Sequence, residues 1–93
     1  MKGNTLSEFI NSLYANCDKE ISFHNRTLMI EGWQNPKDLA YTLRVFEVSE
    51  ESPELFSITD SNRSNCVSAF EKAKIFDGKT LYEAEKDIEV LYD

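Results

Sequence analysis

Residues 21–31 read Ile-Ser-Phe-His-Asn-Arg-Thr-Leu-Met-Ile-Glu. Ile21 and Phe23 alternate with Ser22 and His24, the period of a half-buried strand. His24-Asn25-Arg26-Thr27 then forms a turn, because asparagine tolerates a left-handed backbone. Thr27 to Glu31 returns as a second strand, ended by Gly32-Trp33-Gln34-Asn35-Pro36. Leu39 to Val48 carries Tyr41, Leu43 and Val45 on one face and Thr42 and Arg44 on the other; Phe46 and Val48 fall out of phase, which predicts a bulge or burial on both faces near the end. Leu55 to Thr59 is a short fourth strand with Phe56 and Ile58 facing in. Four strands with hairpin-length connections argue for an antiparallel meander.

Helical periodicity flanks the strands. Leu6, Phe9, Ile10, Leu13, Tyr14 and Cys17 recur at three and four, and Thr5-Leu6-Ser7-Glu8 is a capping box, so a helix is predicted from Leu6 to Asn16 or Cys17. A second helix follows the capping residues Asp60-Ser61-Asn62 and carries Cys66, Val67, Phe70 and Ala73 on one side. After the turn Asp77-Gly78-Lys79, a second capping box, Thr80-Leu81-Tyr82-Glu83, opens a predicted terminal helix with Leu81, Ala84, Ile88 and Leu91 as its apolar stripe. The expected fold is therefore a single α+β domain over residues 1–93: an N-terminal helix, an antiparallel sheet of three to four strands, and two C-terminal helices on one face of it.

Ninety-three residues suit one core. The hydrophobic share of 41% belongs to a folded globule rather than a disordered tail. Met1 to Phe9 has no apolar signal core, and no run of apolar residues approaches the roughly eighteen a membrane span needs, so the expectation is a cytoplasmic protein with no membrane partner. Two cysteines do not make a disulfide scaffold.

Charge is uneven. Residues 47–60 hold Glu47, Glu50, Glu51, Glu54 and Asp60 without a base. Residues 80–93 hold Glu83, Glu85, Asp87, Glu89 and Asp93 against Lys86 alone. These two segments carry −9, so the remainder contributes +2 to the formal net charge of −7. Such a field repels nucleic acid and anionic lipid and attracts a basic protein partner. If the terminal segment is a helix, Glu83, Asp87 and Glu89 lie off its apolar stripe and form an acidic patch; Glu50, Glu51 and Glu54 offer a second. Trp33 either covers the core or anchors a protein contact.

Catalytic and metal motifs are thin. His24 is the single histidine and reads as a solvent-facing strand residue; a Cys–His nucleophile would need Cys17 or Cys66 beside it, and both fall on apolar helical positions. Neither CxxC nor HxxxH spacing occurs for zinc, no glycine-rich loop would cradle a phosphate, and Asp60-Ser61-Asn62 begins like a calcium loop but has Asn65 where that loop needs glycine. No cofactor, metal or catalytic residue is therefore expected.

Ile75-Phe76-Asp77-Gly78-Lys79-Thr80, followed by Leu81, Glu85 and Ile88, resembles the C-terminal signature of small uncharacterised single-domain proteins of Gram-positive bacteria and their mobile elements; that resemblance covers this segment alone and implies no activity. The order helix, strands, helix, helix in a small acidic chain is similar to some phage-encoded anti-CRISPR proteins that imitate DNA, which implies a binding role and carries over no residue. The expected function is a non-catalytic acidic module that binds a basic protein, with nucleic-acid-handling proteins among the candidates. The rival expectations are a small enzyme using a buried carboxylate or cysteine, and a domain whose acidity serves solubility.

Overall fold

The hairpin forms as its pattern requires. In a computed structural model that describes residues 1–49 and 54–92, β1 (Cys17–Phe23) and β2 (Arg26–Gln34) pair antiparallel, with Phe23 opposite Arg26 and Cys17 opposite Gly32. The two-residue connection has His24 at φ 47° and Asn25 at φ 62°. Positive φ at both positions matches the right-handed twist of the strands it joins. β3 (Tyr41–Glu47) pairs with β2, and β4 (Glu54–Asp60) pairs with β3, whose register shifts between Val45 and Phe46, so that of the two readings of the phase break the bulge is the one formed.

Among the described residues the sheet has five strands, not three or four. β5 (Ile88–Tyr92) pairs antiparallel with β1, giving the order β4-β3-β2-β1-β5. The predicted terminal helix is thus overturned. α3 (Leu81–Ala84) is one turn, a 3-10 turn follows at Glu85–Asp87, and the chain then extends as a strand. Ile88 and Val90 fit a period of two as well as Ile88 and Leu91 fit a helix, and β1 offers its free edge as a hydrogen-bonding template. Leu91, counted on the helical stripe, is 50% exposed. The outer edge of β5 is in turn covered by Lys2, whose amide donates to Ile88 O at 3.0 Å while its carbonyl accepts from the Val90 amide at 2.8 Å.

The first helix is also shorter than its periodicity suggests. α1 (Leu6–Ser12) is capped by Thr5, whose hydroxyl accepts from the Glu8 amide at 3.1 Å, but it stops before Leu13. Carbonyls released at its end are collected from elsewhere. Tyr41 Oη lies 2.7 Å from Leu13 O and 2.9 Å from Ala15 O, and Arg63 Nη1 donates to Tyr14 O at 2.6 Å. A helix end supplied with such partners frees the chain to turn into β1. Cys17 is consequently the first residue of β1 and not part of a helical stripe.

α2 (Arg63–Lys72) begins where Asn62 caps it, its side-chain oxygen accepting from the Ser64 amide at 2.9 Å. It buries Cys66, Val67 and Phe70. These residues, with Phe9, Leu13, Phe76 and Leu81, share one cluster with Ile21, Phe23, Leu28, Ile30, Tyr41, Leu43 and Val45. Every strand residue in that cluster stands on the same face by register, so the helices cover one side of the sheet. Among the described residues nothing forms a layer over the other side. No helix among them is long and apolar enough to cross a membrane.

Candidate binding face

The uncovered face is built by the residues between the core positions. On β1 it presents Asp18, Glu20 and Ser22; on β2, Met29, Glu31 and Trp33; on β3, Thr42, Arg44 and Phe46; on β4, Glu54, Ser57 and Thr59; and on β5, Glu89, which pairs with Ser22. Register places these in rows across the strands. One row runs Ser57–Arg44–Glu31–Asp18. The next runs Glu54–Phe46–Met29–Glu20–Tyr92, an apolar centre with a carboxylate on each side of it. Trp33 stands at the end of β2 opposite Thr42, 41% exposed.

Among the described residues this face holds five carboxylates, Asp18, Glu20, Glu31, Glu54 and Glu89, and one guanidinium, Arg44. Arg44 lies over the Phe46 ring at 4.4 Å, donates to Glu31 at 2.9 Å and reaches Glu54 at 3.3 Å. Glu89 is 3.6 Å from Lys2 at the β5 edge. No described residue forms an ion pair with Asp18 or Glu20. Of the other bases, Lys2 is at the β5 edge, Lys37 in the β2–β3 connection, Lys19 faces the core and Arg26 joins the turn-end acids, while Arg63, Lys72, Lys74, Lys79 and Lys86 belong to the helices and their connections, where Glu71, Asp77, Glu83, Glu85 and Asp87 match them in number. Charge is therefore polarised across the sheet.

The acidic residues expected to share a terminal helix are instead dispersed. Glu83 completes the cap of α3, its carboxylate accepting from the Thr80 amide at 2.9 Å; that bond holds its carboxyl below the usual range. Asp87 lies in the 3-10 turn and bonds His24. Glu89 is a strand residue on the uncovered face. The helical patch does not exist, because its helix does not. Of the second group, Glu54 is on the uncovered face, and Glu50 and Glu51 lie outside the described residues. Trp33 is half exposed on that same face and does not cover the core. Asp18, Glu20 and Glu31, absent from both acidic segments, complete the surface.

His24 serves the turn end of the molecule. Nδ1 lies 2.9 Å from Asp77 and Nε2 3.0 Å from Asp87, while the ring stacks on Phe23 with centroids 3.9 Å apart. Asp77 (φ 54°) and Gly78 (φ 81°) form a second tight turn, so the imidazole joins two reversals and the 3-10 turn. Arg26 extends the network to Asp77 at 2.9 Å and Glu47 at 2.7 Å. Bonds to the two carboxylates raise the His24 pKa, and the bond to His24 lowers that of Asp77. An imidazolium with both nitrogens engaged is a cross-link rather than a general base. Cys17 begins β1 and His24 follows its end, about 20 Å away in an extended strand, and Cys66 is held by Tyr41 O, opposite Gln34 at the end of β2 far from the His24 turn, so neither thiol pairs with the imidazole. Burial raises the pKa of both thiols. Among the described residues no group of three histidine, cysteine or acidic side chains could hold a metal ion.

The sign of the His24 effect is definite. A histidine whose pKa is raised on folding stabilises fully below its unfolded value, about 6.5, and loses that contribution as pH rises through its folded value. The lowered Asp77 contributes above its unfolded value, about 4, and loses that as pH falls through its folded value. His24→Gln should therefore lower the urea midpoint most between about pH 5 and 6 and least near pH 9. A difference independent of pH over that range would show that the cross-link does not form.

An open depression lies at the Trp33 end of the β1–β2 pair, lined by Cys17, Asp18, Glu31, Gly32 and Trp33. Comparison with known protein families, curated proteins and solved structures finds no match for this chain.

Proposed function

We propose that the protein is a non-catalytic acidic binding module that docks a basic protein segment on its uncovered sheet face. The observation that carries this reading is the polarisation of charge: five carboxylates to one guanidinium on a face with an apolar centre, against equal numbers of acids and bases in the helices and connections over residues 61–87. Phe46, Met29, Tyr92 and Trp33 supply contact area, and the carboxylates around them supply attraction and orientation. Asp18 faces Glu31 across β1 and β2, and since Arg44 already pairs with Glu31, Asp18 is the carboxylate of that row left to meet an incoming cation. A cationic segment with apolar residues between its charges fits these rows. The positively charged surface of a nucleic-acid-handling protein is one source of such a segment, in keeping with an acidic module that would compete with nucleic acid for it.

The test uses a blocked peptide alternating leucine and arginine, measured by calorimetry. Replacing Asp18, Glu20 and Glu89 by Asn, Gln and Gln should weaken binding at low salt by roughly thirty-fold, since each exposed ionic contact contributes a few tenths to about 1 kcal/mol. It should also flatten the salt dependence. Glu8→Gln with Glu71→Gln, on the helical side, should leave affinity within about two-fold. The same loss per charge removed in both variants would mean that the peptide responds to net charge and not to this face.

A further inference from the structure

We infer that the depression beside Trp33 takes the side chain of an arginine from the docked segment, an assignment that rests on the binding reading above. The same face already contains the chemistry in an intramolecular form. The Arg44 guanidinium stacks over Phe46 at 4.4 Å and bonds the carboxylates of Glu31 and Glu54. A planar guanidinium suits this arrangement, because it offers one face to a ring and a fork of donors to a carboxylate. Trp33 and Asp18 repeat the two components. Asp18 pairs with Glu31 in the β1–β2 register, and Trp33 is two residues beyond Glu31 on the same strand and therefore on the same face, the diagonal neighbour of Asp18. Such diagonal positions lie about 7 to 8 Å apart, within reach of an aromatic side chain.

The floor between them is the backbone of Gly32, and both it and Cys17 line the depression. The alkyl stem of an arginine can lie along that floor while its head meets the indole and the carboxylate. Indole is the strongest of the aromatic rings as a cation acceptor. Among the described residues no cation lies over Trp33, whereas Phe9, Tyr41 and Phe46 each have one nearby. Glu31 is shared with Arg44, so Asp18 is the carboxylate that would receive the incoming head.

Trp33 is the single tryptophan, so its emission reports on this position alone. The leucine–arginine peptide should shift that emission and saturate, and its citrulline counterpart, equal in shape but neutral, should bind at least about ten-fold more weakly. Asp18→Asn should weaken the arginine peptide by about five-fold and Trp33→Leu by a similar factor in calorimetry, with the circular dichroism of both variants unchanged. A lysine peptide that binds and shifts the emission as well as the arginine peptide would overturn the assignment to a guanidinium. Unchanged Trp33 emission and indole N–H resonance at saturating peptide, with the amides of Glu20, Met29 and Phe46 still responding, would remove the subsite and leave the docking face standing. No response on the face up to millimolar peptide would remove both.

Discussion

Gly32→Ala should lower stability by about 3 kcal/mol or more, a fall in melting temperature of roughly 12 °C or greater for a chain of this size. Gly32 sits in β2 between Cys17 on β1 and Leu43 on β3, with its missing side chain directed into the core. A Cβ there would collide with the Tyr41 hydroxyl, come within 2.9 Å of Tyr41 Cζ and within 3.1 Å of Cys17 Sγ. Tyr41 cannot step aside without loss. It is fully buried, and its hydroxyl serves the carbonyls of Leu13 and Ala15 at the end of α1. The substitution therefore overpacks the core and strips the helix end of a partner at once. Tyr41→Phe supplies the control. Alone it should cost about 1 to 3 kcal/mol for the carbonyls left without their donor. Combined with Gly32→Ala it should cost less than the two single effects summed, because both act on the same hydroxyl. Urea unfolding of the four proteins measures the cycle, and strict additivity would show that Gly32 is needed for some other reason.

Phe70→Ala should cost about 3 to 5 kcal/mol, which leaves little of the roughly 5 to 15 kcal/mol a domain ordinarily has. Phe70 is fully buried on α2 and meets Phe56 of β4 edge-on at 5.9 Å and Phe76 at 6.4 Å. Phe76 in turn meets Phe23 of β1 at 5.3 Å. The ring thus joins the helix to β4 directly and to β1 through Phe76, all on the covered face, and truncation leaves a cavity that neither strand can move to fill. Phe70→Leu should recover more than half of the loss. A melting temperature unchanged in Phe70→Ala would contradict the placement of α2.

The sheet core is legible in the sequence because the alternation of Ile21 and Phe23, Leu28 and Ile30, and Tyr41, Leu43 and Val45 admits no helical phase. Both departures lie at the ends of the chain, where a helical and a strand period share residues. Ile88 belongs to either pattern, and only the edge of β1, invisible in the local sequence, decides for a strand. At the other end Lys19 disguises the strand phase of β1. It occupies a core-facing position between Cys17 and Ile21, is 1% exposed, and lies 5.5 Å from the Phe9 ring centroid. A lysine in that phase breaks the apolar alternation, and it hides the fact that Asp18 and Glu20 share a face. Most of the candidate site is hidden with them. Of the residues in the acidic segments, Glu54 and Glu89 do stand on the uncovered face, whereas Glu83 and Asp87 are engaged by a helix cap and by His24. A run of like charge along the chain does not make a patch when the backbone changes direction repeatedly within it. Charge that gathers across strands leaves no run to find.

Docking of a basic segment on the uncovered sheet face is tested most directly by amide chemical-shift mapping with the leucine–arginine peptide. Shifts that saturate should gather on Asp18, Glu20, Met29, Glu31, Trp33, Arg44, Phe46 and Glu89, which share that face by register. Residues of α2 and of the 77–87 segment should remain still. Saturating shifts centred on α2, or on Glu83 and Asp87 instead of the sheet, would contradict docking on this face.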